Sequence, residues 1–131
     1  MKHLFLILTL LSFITSCDKN DNSNRETNNI EGSWYLTKFE KGFAPTDTYN
    51  IEIQWTFNSN NTVDVLIVNG TNIDSRLPLQ VSGNYPYSIN GNTILLNNES
   101  YTFEIIDNQL FLTKDIGPSA DGIRVILNKI Q

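Results

Sequence analysis

An eight-stranded antiparallel barrel of the up-and-down kind, all-β, is the fold class this sequence predicts, and three observations predict it. From Ile30 onward, short stretches rich in Val, Ile, Leu, Tyr, Phe, Trp and Thr alternate with clusters of Asn, Gly, Asp, Ser and Pro. No apolar stripe of helical period is sustained over the length of a helix. A succession of antiparallel strands joined by tight turns leaves two unpaired edges, and pairing the last strand with the first removes both. A two-sheet β-sandwich made from the same strands is the alternative architecture.

The strands follow from alternation and turn chemistry. Gly32 to Phe39 places Trp34 and Leu36 on one face, with Tyr35, Thr37 and Phe39 on the other. A loop holding Pro45 leads to Ile51–Phe57, where Ile51, Ile53, Trp55 and Phe57 alternate with Glu52, Gln54 and Thr56. Asn58 to Asn61 tolerates left-handed turn conformations and returns the chain through Thr62–Val68. After a polar segment, Leu79 to Ile89 reads as a long strand interrupted by Gly83 and Pro86. Asn90-Gly91 is the strongest hairpin signal, since both central positions of a type I′ turn need positive φ. Thr93–Leu96, Tyr101–Ile106, Gln109–Lys114 and Ile123–Ile130 complete the set of eight. The expected inward side chains are Trp34, Leu36, Ile53, Trp55, Phe57, Val65, Ile67, Tyr85, Tyr87, Ile94, Leu96, Phe103, Ile105, Leu110, Leu112 and Ile126.

Before Ile30 the chain has a different character. Lys2 and His3, then the apolar run Leu4 to Phe13, then small residues up to Cys17, have the layout of a cleaved secretory signal spanning 1–16. That run is too short to cross roughly 30 Å of hydrocarbon, which takes about 20 apolar residues. Residues 18–29, DKNDNSNRETNN, hold no apolar side chain and cannot offset the entropy of ordering them, so 17–29 reads as a flexible tether and 30–131 as the single folded domain. Asp18, Asn20 and Asn22 stand at alternate positions like calcium-loop ligands. Ser23 occupies the position that needs glycine and Asn29 the one that needs a bidentate Glu, which excludes that reading.

Composition narrows the chemistry. The formal charge is −5, and it becomes more negative once Lys2 is removed, which argues against nucleic acid and against an electrostatic grip on anionic lipid. His3 is the one histidine and falls within the cleaved segment 1–16, and Cys17 is the one cysteine, whose thiol is acylated if the resemblance to lipoproteins set out below holds. Histidine bases, cysteine nucleophiles, zinc sites and disulfides are therefore excluded, and no cofactor or metal is expected. Glu52, Asp64 and Glu104 are the carboxylates within strands, and a glycosidase-like pair among them is the one enzymatic option. Alternation puts each on the outer, wet face, where nothing shifts its pKa, so no catalytic residue is assigned.

Two resemblances add to this. Ile14-Thr15-Ser16-Cys17 resembles the lipobox of bacterial lipoproteins, which implies that Cys17 is acylated and becomes the new first residue. Two or more acyl chains, at roughly 0.8 kcal/mol per buried methylene, hold a protein stably on a membrane. The implied address is the bacterial cell envelope, at the outer membrane, and Asp18-Lys19-Asn20-Asp21 resembles the sorting signals that follow the lipidated cysteine in some bacteria. Gly32-Ser33-Trp34 resembles the Gly-x-Trp motif on the first strand of the lipocalin superfamily, and Arg124 on the last strand matches the arginine that packs across that tryptophan. The resemblance implies a barrel closed by a Trp34–Arg124 pair with the guanidinium within about 6 Å of the ring. The chain lacks the cysteines, the C-terminal helix and much of the length of the animal lipocalins, which points to a mostly filled interior.

The functional expectations follow. If the barrel holds a small apolar ligand, in its interior or at its mouth, Trp55, Phe57, Tyr85, Tyr87 and Tyr101 are the side chains to line it. A filled barrel acting as an envelope interaction or inhibitor module is the alternative, with an apolar patch around Phe43, Ala44 and Tyr49. The protein is expected to act as a monomer whose partners are the membrane, through Cys17, and that ligand or an envelope protein, without nucleic acid.

Overall fold

The computed structural model describes residues 29–114 and 122–131. The expected signal peptide, the expected acylation site at Cys17, nearly all of the expected tether and the Gly117-Pro118 segment lie outside the described residues. Among the described residues, nine strands form one antiparallel sheet: β1 Gly32–Lys41, β2 Ala44–Thr48, β3 Ile53–Phe57, β4 Thr62–Ile67, β5 Gly83–Asn90, β6 Thr93–Leu96, β7 Glu99–Ile106, β8 Gln109–Lys114 and β9 Ile123–Lys129. From β3 to β9 each strand pairs with its sequence neighbour, and β9 returns to pair with β1 from Trp34↔Lys129 to Lys41↔Ile123. That last ladder closes the barrel and rules out the two-sheet sandwich.

The ninth strand is half of a broken one. β1 is long enough to serve two partners on the same side, β3 over Gly32–Tyr35 and β2 over Lys38–Lys41. The amide of Tyr49 still reaches the carbonyl of Thr37 at 2.9 Å, whereas the next pair is Tyr35↔Gln54. Residues 50–53 therefore stand opposite little more than Leu36, and the chain bulges there. Ile51, which alternation grouped on one face with Ile53, Trp55 and Phe57, falls in this insertion and is 68% exposed. Sequence alternation missed β2 because Ala44-Pro45-Thr46-Asp47-Thr48 has almost no apolar content and carries a proline, which an edge strand tolerates.

A second irregularity sits in β1. Its register against β9 shifts between Leu36 and Lys38, so one extra residue is accommodated and the inward face moves from Leu36 to Phe39. Phe39 is thus fully buried although simple alternation placed it outside. Opposite it, Val125 and Leu127 point inward, and Ile126 lies on the outer face in register with Lys38 and Phe111, which corrects the expected inward Ile126.

Turn chemistry sets the remaining hairpins. Asn97-Asn98 and Asp107-Asn108 join flush strand pairs with both central residues at positive φ, the type I′ pattern. At the third hairpin the central residues are Gly91 and Asn92, with positive φ at Gly91 alone (+62°), which is the type II′ pattern rather than the expected Asn90-Gly91 type I′. These turns, the 58–61 turn and Asn29–Ile30 all lie at one end of the barrel or the other by strand direction. The near end holds 29–31, 58–61, 91–92 and 107–108. The far end, called the mouth below, holds the β1–β2 hairpin tip, the β4–β5 connection and Asn97-Asn98.

Trp34, Trp55, Phe39, Phe57 and Tyr101, with Leu36, Ile53, Ile94, Leu96, Leu110, Leu112, Val125 and Leu127, fill the interior. Each such aliphatic or aromatic side chain contributes roughly 1.5–3 kcal/mol by burial. The β4–β5 connection, expected as polar loop followed by strand from Leu79, instead folds over the mouth as a strap. Its Leu77 and Leu79 are buried in the same core, and β5 begins only at Gly83.

Candidate functional site

The five aromatic residues expected to line a pocket do not meet around a hollow. Trp55, Phe57 and Tyr87 form one packed group, with ring centroids 6.3 Å apart for Trp55–Phe57 and 5.3 Å for Phe57–Tyr87, both edge-to-face. Tyr87 donates its hydroxyl to the Asn58 carbonyl at 3.0 Å. Tyr85 is half-buried and donates to the Val81 carbonyl at 2.7 Å, at the foot of the strap. Tyr101 lies apart from the group, with its hydroxyl on Glu99 at 2.7 Å and the Lys114 ammonium 6.0 Å from its ring. They are core side chains whose polar ends are satisfied by neighbouring chain. Trp55 is the exception: its Nε1–H is buried and meets no acceptor among the described residues.

The near end is closed, but not by Arg124. Trp34 donates its indole N–H to the Ile30 carbonyl at 2.8 Å, pinning the entering chain across the barrel's base. The cation over its ring is Lys129, whose Nζ lies 4.9 Å from the ring and donates to the Glu31 carbonyl at 3.2 Å. Arg124 pairs in register with Glu40, six residues further along β1, and stacks on the outer face over Phe111 at 4.6 Å, with Glu40 at 3.9 Å. The expected Trp34–Arg124 pair is replaced by Trp34–Lys129. Both are cations on β9, and the register of β9 against β1 decides which one reaches the indole.

The strand carboxylates are dispersed. Asp64 is exposed and accepts from Asn84 at 2.6 Å and Asn58 at 2.8 Å, bonds that hold its carboxyl below the usual range. Glu52 stands at the mouth, lowered by the backbone amide of Asn50. Glu104 is exposed on β7. No two of the three are hydrogen-bonded to one another or share a described cleft. Among the described residues, no group of three or more His, Cys, Asp or Glu is placed to hold a metal, and no helix is long and apolar enough to cross a membrane.

Titratable groups with unusual surroundings gather instead around the mouth. Lys41, at the end of β1, is a buried cation whose Nζ donates to Asp47 of β2 at 2.7 Å and to Asp74 of the strap at 3.0 Å; these two carboxylates raise its pKa. Arg76 grips Asp74 from the other side at 3.2 Å, and its own backbone amide also donates to that carboxylate. Arg76 chiefly, with Lys41, holds the Asp74 carboxyl down to about 2. On the opposite wall Lys114 and the Tyr101 hydroxyl both donate to Glu99 and lower it, while burial above all raises the Tyr101 phenol.

Between these walls runs a cleft of about 350 Å³, formed by Ser75, Arg76, Leu77, Pro78 and Gln80 of the strap with Asn97, Glu99, Lys114 and Ile123 of the barrel rim. Apolar surface from Leu77, Pro78 and Ile123 is flanked by the charged ends of Arg76, Glu99 and Lys114. Sequence reasoning missed this constellation because strap and rim are distant in the chain and neither carries a periodic pattern. The available signal was Leu77-Pro78-Leu79, an apolar triplet inside an otherwise polar connection. No protein-family model and no curated protein matches the chain.

Proposed function

We propose that the chain is a lipid-anchored, non-enzymatic, lipocalin-like protein of the bacterial cell envelope that holds a small apolar ligand with a polar end at the mouth of its barrel. The observation carrying this reading is the mouth cleft of about 350 Å³, which joins an apolar floor at Leu77, Pro78 and Ile123 to Arg76, Gln80 and Lys114, beside an interior already occupied by side chains. Small-ligand sites have this size and this mixture of apolar wall and few polar anchors. The anchor rests on Cys17 and the leader before it. Asn29 and Ile30 enter at the near end, so the tether joins the barrel at the end opposite the mouth.

Native mass spectrometry of the delipidated protein, purified from its own host, tests the reading. A retained small molecule, lost on Lys114→Ala, is expected; a bare mass would overturn it in favour of an interaction module. That second reading is favoured by Phe43, 96% exposed at the β1–β2 tip, and by exposed Ile51, Val68 and Val81 on the same end. In parallel, Cys17→Ser is expected to abolish membrane partition and the acyl mass, and unchanged partition would remove the anchor from the reading.

A further inference from the structure

We infer that the strap is a hinged lid over the barrel interior and that Lys41 is the clasp holding it shut. The strap crosses the mouth between Val68 and Ser82. Its feet are fixed to the barrel, where the Val68 amide donates to the Glu52 carbonyl at 2.8 Å and the Ser82 hydroxyl accepts from the Ile67 amide at 2.8 Å. Between the feet its hydrogen bonds are largely its own: Thr71 and Leu77 amides donate to Val68 and Asp74 carbonyls, and the Gln80 side chain donates to the Ser75 and Leu77 carbonyls. It is therefore a self-supporting unit, able to move without losing internal bonds.

Beyond the packing of Ile73, Leu77 and Leu79 on the core, the polar bonds that fasten this unit to the rim are few among the described residues. Asp74 takes a bond from Lys41 at 3.0 Å, and the Pro78 carbonyl takes a long one from Asn97 at 3.4 Å. Leu77 and Leu79 supply the plug, 2% and 1% exposed. Near one foot, Gly70 holds a φ of +88° that residues with a side chain rarely adopt, with no neighbour crowding it. Lys41 bridges two carboxylates from separate elements, and Arg76, which also pairs with Asp74, belongs to the strap itself, so removing the Lys41 charge takes away the ion pair that ties the strap to the β1–β2 hairpin. The clasp thus supplies the electrostatic attraction between the strap and that hairpin. This goes beyond binding at the mouth, because an open strap uncovers the apolar side chains of the barrel core that Leu77 and Leu79 now cover.

The test uses no ligand, so a bare mass spectrum in the preceding experiment leaves it standing. In the full chain, a Leu77→Cys thiol is titrated with a charged methanethiosulfonate, against the Leu77 parent for background from Cys17, and Val125→Cys in β9 reports opening of the barrel itself. With Lys41 present both introduced thiols are expected to react slowly. Lys41→Gln is expected to accelerate Leu77→Cys roughly tenfold, as a rarely populated open state becomes about ten times more populated, and to leave Val125→Cys slow. Lys41→Arg, which keeps a cation between the two carboxylates, is expected to behave like the parent. Equal acceleration at both sites, no acceleration at Leu77→Cys, or a fast Leu77→Cys reaction with Lys41 intact would overturn the lid.

Discussion

The two ends of this barrel are closed by different means. The near end is sealed by parts of the barrel strands themselves: short turns at 91–92 and 107–108, the Ile130 amide on the Ser33 carbonyl at 2.9 Å, and the Trp34 indole of β1 donating to the Ile30 carbonyl. The mouth is sealed by side chains on a separate strap, two leucines and one shared ammonium. Backbone ladders open only when strands part, whereas side-chain plugs open when one segment moves. One end is thus structural and the other is built to carry change, which is where the charged groups with shifted pKa values gather.

The sharpest way to break that contrast is at the near end. Trp34→Ala is expected to cost about 3–5 kcal/mol, read as a fall in the urea midpoint, because it empties a fully buried site and strands the Ile30 carbonyl. The mouth answers to acid. Asp74 has its carboxyl depressed from 3.8 to about 2 in the fold, so its stabilisation is complete above about pH 4 and is lost as pH falls through 2. The loss is on the order of 1–2 kcal/mol after discounting for solvent screening, and Asp74→Asn is expected to flatten the fall in urea midpoint between pH 4 and 2. The smallest effect separates the two cations of β9. Lys129→Ala is expected to cost about 0.5–1 kcal/mol through the lost contact with Trp34, and Arg124→Ala, on the outer face, less than about 0.5. A larger cost at Arg124 than at Lys129 would contradict the closure described above.

Much of the fold was legible in the sequence, and the site was not. Alternation in Ile53–Phe57 and Tyr101–Ile106 and the Asn-rich turns carry the strand order, since period-two burial and positive φ are local properties. Closure followed from the wish to leave no free edge, and the β1–β9 ladder bears it out. What escaped were features set by tertiary contact. Phe39 turns inward because of a register shift that no local pattern marks, and Ala44–Thr48 becomes a strand because β1 offers it a free edge. Leu79 belongs to a plug rather than to a strand, since the mouth needed filling. The choice of Lys129 over Arg124 depends on that same inter-strand register, which a motif on one strand cannot specify. The mouth cleft joins the 75–80 segment to Asn97, Glu99 and Lys114, and only the folded chain brings these together.

The shift in β1 between Leu36 and Lys38 has a consequence for insertions and deletions. With one residue excised there, at Thr37, the apolar positions Trp34, Leu36 and Phe39 would fall into plain alternation and every side chain beyond would keep its present face. A single lost codon at this point would therefore leave the inward and outward faces of β1 as they are, at the cost of the Thr37 bonds to Tyr49 and Ile126. Its further penalty would fall on curvature, because the additional residue bends the longest strand where it passes from one partner to the next.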